Sequence, residues 1–443
     1  MSMILKRKNI LIGWFLFLLA SFAYEKPIAI LSSIDRLNPR LFDIATFTAL
    51  FILPYLKKEK SFNPLFSKYK NLILWFGACA VFSLVVYSFP VEINQYVIFY
   101  YLKYLQELFI LYVVYKILMQ FVPVKQALIV FLLSGLFVFG YSLYEFYYGV
   151  VGEIEFAPGK FINKPVGIIW GPFGNTYFQI ATYLPLLFIL LLGYASIFTG
   201  LKRYILYLIS FLIAWPLLFT GSRTGLGLLL ITLTIYFVLR YKFSYGLVLV
   251  AIFSIVVLFA TNNLSDKSFQ TVERLETMES HDSNSLVGRL TIFSDFSLEK
   301  YTSDGILMPF FGGGFYVAPI DDKFRIGYGF HNIYVFAFEQ AGLFGLFFFL
   351  LFLKEAFNYL KKALNLYSVN RKSIEFVFIA GVFSYFIAEL IVGLAGHTFW
   401  RGFATNNFNT LRIIVLLMAV ALYLRVQVKK KLISEEGVTT YVE

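Results

Sequence analysis

Charge, histidine and cysteine are all scarce in this chain. Asp, Glu, Lys and Arg make up only 14% of its 443 residues, too few to clothe a water-soluble domain of that size. Cys79 is the single cysteine and lies within an apolar run, which rules out an intramolecular disulfide and argues against a thiolate-ligated metal. His281, His331 and His397 are the three histidines. They stand far apart, with nothing resembling the i, i+4 spacing of a zinc helix, so neither a metal nor a cofactor is expected. What the chain has in plenty is oil: 59% of residues are hydrophobic and 20% aromatic, with 53 Phe and 31 Tyr. That composition belongs to a polytopic membrane protein.

The formal net charge of +12 does not point to nucleic acid. Basic residues gather in alternate short loops, at Lys6 to Lys8, Lys57 to Lys60, Lys202-Arg203, Arg240/Lys242, Lys361-Lys362, Arg371-Lys372 and Lys429 to Lys431. This is the pattern of cytoplasmic loops in a membrane protein. Twelve apolar segments are span candidates, the first two of them short, near 10–24, 41–56, 71–89, 99–122, 126–148, 175–198, 204–220, 224–240, 245–261, 333–353, 374–395 and 410–427. Lys6 to Lys8 followed by Ile10 to Ala23 mimics a secretory signal, but eleven further candidates make an uncleaved first helix the expectation. The expected fold is therefore all-α, with about 12 transmembrane helices and both termini cytoplasmic. It divides into residues 1–261 (helices one to nine), an extracytoplasmic loop 262–332 with short helices of its own, and 333–443 (helices ten to twelve and a tail).

The loop is the one long polar excursion, and it carries ten acids against six bases. It holds Gly288-Arg289, the triplet Gly312-Gly313-Gly314, and His331-Asn332 at the mouth of the tenth span. Arg289 starts a predicted helix over 290–301 and is open to two readings, an anion ligand or a partner of Asp282 or Asp295. Arg223 sits in the turn Thr220-Gly221-Ser222-Arg223, before a helix whose free N–H groups favour an anion. It fits a phosphate ligand or an arginine snorkelling to headgroups. Asn332 is a candidate N-cap. The helix N-terminus beside His331 disfavours an imidazolium, and a neutral histidine can serve as a general base. The glycine triplet permits a sharp bend or a close approach to a ligand, and Asn332 belongs to the same candidate substrate loop. Two further external segments supply Lys164 and Arg401. Within the spans, Lys103 and Glu107 stand one helical turn apart and Glu389 is isolated. Intramembrane charges are functional candidates, although an i, i+4 pair also suits a structural role.

The order of these motifs resembles the bacterial O-antigen ligase and O-antigen polymerase superfamily, most closely over about 205–353. Gly171-Pro172-Phe173-Gly174-Asn175 precedes a span, then come Thr220 to Arg223, Gly288-Arg289, Pro309 to Gly314, His331 to Tyr334, and Glu339 through Gly342-Leu343-Phe344-Gly345. Family members often have Asn-Pro-Asn where this chain has Asn175-Thr176-Tyr177, and many carry a second histidine where Gly329 stands. The resemblance implies a membrane-embedded (GT-C-type), metal-independent, inverting glycosyltransferase in the bacterial inner membrane, with its site on the periplasmic face. Its donor would be a glycan on undecaprenyl diphosphate, held at the diphosphate by Arg223 and Arg289. His331 would activate a sugar hydroxyl of lipid A–core in a ligase, or of a second lipid-linked glycan in a polymerase. A lipid-linked oligosaccharide transporter is the competing class, supported by the span count and the intramembrane charges. The decisive polar residues crowd one face rather than mid-membrane and no internal repeat is visible, so transport is the weaker reading.

Overall fold

The computed structural model describes residues 3–24, 26, 28, 39–57, 63–86, 91–149, 154–157, 160–162, 169, 171–173, 177–220, 222–241, 308–312, 332–394 and 407–435. In chain order the helices among them are α1 Met3–Ser21, α2 Leu41–Ile52, α3 Pro64–Val86, α4 Val91–Gln120, α5 Val124–Tyr148, α6 Tyr177–Ala195, α7 Gly200–Ala214, α8 Arg223–Arg240, α9 Met308–Phe311, α10 Ile333–Tyr367, α11 Ile374–Val392 and α12 Asn407–Glu435. Every span candidate except one falls on these helices; the ninth, 245–261, lies outside the described residues. Five stretches of the described residues are long and apolar enough to cross a bilayer: Val124–Tyr148, Gly200–Phe219, Gln340–Asn370, Ile374–Val392 and Thr410–Lys430.

The helices outrun the apolar stretches that flag them. α3 begins at Pro64 rather than near 71, because Asn63 caps it: its Oδ1 accepts the N–H groups of Leu65 at 3.0 Å and Phe66 at 3.2 Å. Proline at the first helical position gives up no bond there. α10 runs on to Tyr367, well past 353, since no breaker interrupts the charged turn Lys361-Lys362. One departure from all-α is a small antiparallel hairpin, β1 Ile154–Ala157 with β2 Lys160–Ile162, in the external segment between α5 and α6. The predicted helix 290–301 lies outside the described residues. Of the loop 262–332, α9 is a short helix of the expected kind.

α6, α11 and α12 form the centre. Residues from Ile180 to Ala195, Phe376 to Ala388 and Leu411 to Leu422 are nearly all buried, as expected of helices that are apolar all round. α6 and α8 run parallel, since Gly225 meets Ala181 at one end and Tyr236 meets Gly193 at the other. α11 is antiparallel to both: Tyr385 donates to the Thr182 carbonyl at 2.8 Å, while Val377 lies against Gly193. The outer helices leave Phe47, Phe51, Leu133, Leu201, Leu208 and Phe347 exposed. Large apolar side chains in such number suit acyl chains and would be a liability in water.

The intramembrane charges find partners across helices. Lys103 Nζ of α4 is 2.6 Å from Asp43 Oδ1 of α2, and Gln106 adds a bond to the same oxygen at 2.8 Å. Glu107 accepts the Tyr69 hydroxyl of α3 at 2.6 Å. The two i, i+4 residues are thus engaged by different helices. Glu389 of α11 pairs with Arg412 of α12 at 3.0 Å, with the two side chains 1% and 4% exposed.

Candidate functional site

Three anchors position the motif residues. The first is the start of α8. Ser222 is its N-cap, with Oγ accepting the Gly225 N–H at 3.1 Å. Thr220 Oγ1 in turn accepts the Ser222 N–H at 3.3 Å. Pro185 lacks the N–H that would bond the Ala181 carbonyl within α6. Gly225 packs on that carbonyl so closely that a Cβ would stand 2.6 Å from the oxygen. Arg223, the first residue of α8, is therefore set at the α6 edge by a cap and a glycine contact.

The second anchor is the start of α10. Asn332 Oδ1 accepts the N–H groups of Tyr334 at 2.9 Å and Val335 at 3.1 Å, and its Nδ2 donates to the Leu394 carbonyl at 2.8 Å. Ile333 N–H donates to the Gly393 carbonyl at 2.9 Å, and the Tyr334 hydroxyl donates to the Leu390 carbonyl at 3.2 Å. The residue after His331 is thereby tied to the C-terminal end of α11. The amide expected in the candidate substrate loop spends its oxygen on the helix cap and its nitrogen on Leu394.

The third anchor joins the end of the glycine-rich motif to a break in α10. Gly342 leaves helical geometry at φ 64°, ψ −166°, a region that is essentially glycine-only. Gly312, at φ 70°, lies against it: a Cβ on Gly312 would fall 2.5 Å from the Ala341 nitrogen, and one on Gly342 would collide with the Phe310 carbonyl. The break turns the Ala341 carbonyl toward α3, where it accepts Trp75 Nε1 at 3.2 Å and lies 3.8 Å from Cys79 Sγ. Phe311 stacks on Trp75 at 5.7 Å and on Phe82 at 4.7 Å. Of the triplet, Gly312 makes this backbone contact; Gly313 and Gly314 lie outside the described residues.

The starts of α8 and α10 both stand beside the C-terminal end of α11, α8 through its packing on α6 and α11 and α10 through Gly393 and Leu394. Around the same end lie Gly171 to Phe173 and the end of α5. The Arg223 side chain, and Arg289, His331, Lys164 and Arg401, lie outside the described residues. Sequence reasoning missed Glu145 in α5, Arg412 in α12 and Trp75 in α3. The rule that singles out Glu389, an ionisable group in an apolar span, applies equally to the first two. Trp75 carries no such mark, because its partner is a main-chain oxygen freed by a break elsewhere in the chain.

Set beside known proteins, residues 208–350 match the family profile described as O-Antigen ligase. The match runs from α7 through α8 and α9 into α10, and so contains all three anchors. No curated protein matches the chain.

Proposed function

We propose, from the match of residues 208–350 to the O-antigen ligase family profile, that the chain is an inverting glycosyltransferase of the bacterial inner membrane. It moves a glycan from undecaprenyl diphosphate to a sugar hydroxyl of lipid A–core, on the periplasmic face. The observation that carries this reading is the gathering of the starts of α8 and α10 at one end of the bundle, although Arg223 and Asn332 are more than a hundred residues apart.

The chemistry divides among three residues. Arg223 and Arg289 neutralise the diphosphate, so that it can leave with the electron pair of the anomeric C–O bond. His331 accepts the proton of the acceptor hydroxyl as that oxygen forms the new bond to the anomeric carbon from the opposite face. Attack in line with the leaving group inverts the configuration. Asn332 supports this arrangement by fixing the chain next to His331, and the helix start favours the neutral imidazole that a base requires. The polymerase reaction differs only in its acceptor, a second undecaprenyl-linked glycan.

Purified protein in nanodiscs, given a synthetic undecaprenyl diphosphate glycan donor with EDTA present, tests this directly. One reaction contains lipid A–core acceptor and the other donor alone. Product with wild type and none with His331→Ala is expected, and the productive reaction separates ligase from polymerase. Equal product from His331→Ala removes the histidine as base, and no product in either reaction favours transport.

A further inference from the structure

We propose that Glu145 is a positioning residue for the chain segment that ends in Arg223. The inference rests on the assignment of Arg223 to the donor diphosphate. Glu145 stands in the last turn of α5 with 0% of its side chain exposed. Burying a carboxylate costs several kcal/mol unless it is paired and bonded, so its surroundings need an explanation. Lys26 Nζ lies 3.5 Å away and also donates to the Tyr141 hydroxyl at 2.6 Å. These contacts compensate the charge. A second, more specific contact shows where the carboxylate points: Oε2 accepts the main-chain N–H of Gly171 at 2.6 Å. Charge-assisted bonds of this length are among the stronger ones in proteins.

Gly171 is the first residue of a turn packed between α5 and α6. Its φ is 72°, and a Cβ there would stand 2.7 Å from Ile180 Cδ1. Phe173 lies on the ring of Tyr183 at 4.8 Å, which fixes the far side of the turn. Two residues before Gly171, Ile169 donates its N–H to the Phe219 carbonyl at 3.1 Å. Phe219 is followed by Thr220, whose hydroxyl accepts the Ser222 N–H, and Ser222 caps the helix that Arg223 opens. Main-chain and capping bonds therefore run from a buried carboxylate to the residue before the diphosphate ligand, and the ring of Phe146 in α5 packs on Phe219 at 4.8 Å along the same path. A carboxylate placed only to neutralise Lys26 would not need to reach a backbone N–H on another segment.

Binding of undecaprenyl diphosphate and of undecaprenol to the full-length protein in nanodiscs tests this, for wild type, Glu145→Ala, Glu145→Gln and Arg223→Ala. Glu145→Ala is expected to bind the diphosphate about tenfold more weakly, the scale of one charge-assisted hydrogen bond, with undecaprenol binding unchanged. Glu145→Gln keeps an oxygen for Gly171 and should recover most of the loss. Should Glu145→Ala fail to yield monodisperse protein, Gly171→Ala displaces the same turn and is expected to show the same selective loss. Wild-type diphosphate binding in the alanine variants, or an equal loss for both lipids, overturns the inference. Wild-type diphosphate binding in Arg223→Ala overturns the assignment of Arg223 itself and removes the inference with it.

Discussion

At the scale of single residues, the sharpest demands come from a buried ion pair and from a glycine. Glu389 and Arg412 face each other at 3.0 Å where neither reaches solvent. Removing one partner strands the other charge, so Arg412→Met should cost about 3–5 kcal/mol, while the Glu389→Met/Arg412→Met double variant should recover most of that. Thermal unfolding in detergent micelles decides it, and a double variant as unstable as the sum of its parts would show that the pair is not the stabilising unit. Gly342→Ala should lower the unfolding temperature, since its backbone geometry alone costs a side-chain-bearing residue about 1–3 kcal/mol and a Cβ would collide with Phe310. Gly140→Ala, in helical α5 with open space around it, should be neutral or stabilising by up to ~1 kcal/mol. The sequence marks Gly342 as a glycine within an apolar run and as the start of the motif Gly342 to Gly345, and neither signals a break in the helix. Its partner Gly312 lies thirty residues upstream, and their meeting depends on tertiary packing that no local pattern reveals.

Among the elements, α10 gathers the most consequences. Its cap was legible: an asparagine before an apolar run at the end of a polar loop is a helix start by composition. The second use of Asn332, its bond to the Leu394 carbonyl, was not legible, because it depends on where α11 ends. Asn332→Ala should therefore cost about 1–2 kcal/mol as a lost cap. Asn332→Asp should keep the cap and lose only the bond to Leu394. If His331 is the base, both variants should also slow transfer, the alanine more, at unchanged donor affinity; equal rates for wild type and alanine would show that the cap does not position the histidine. The break at Gly342 was hidden for a different reason. Hydropathy sees one continuous span over 333–353, and a change of backbone geometry at one residue, Gly342, leaves that average untouched. The extensions of α3 and α10 beyond their apolar stretches have the same origin, since helices stop at caps and breakers and not at the edge of hydropathy.

For the whole molecule, the alternation of basic loops with apolar spans predicts an orientation for the two ends of the bundle. Tyr148 and Val369 are 77% and 94% exposed and lie at opposite ends. In spheroplasts, a membrane-impermeant maleimide should label Tyr148→Cys and spare Val369→Cys; the reverse pattern would invert the proposed topology and place the site in the cytoplasm. The native thiol should stay silent in such an experiment, for Cys79 is 1% exposed. Its position has a kinetic consequence. The thiol sits in the seam between α3 and the break of α10, 3.8 Å from the Ala341 carbonyl, so a reagent can reach it only when that seam separates. Slow alkylation of unmodified protein then measures how often the two helices part, each tenfold protection over a free thiol corresponding to about 1.4 kcal/mol of opening free energy. The chain carries its own clock for the motion of the helix that Asn332 caps.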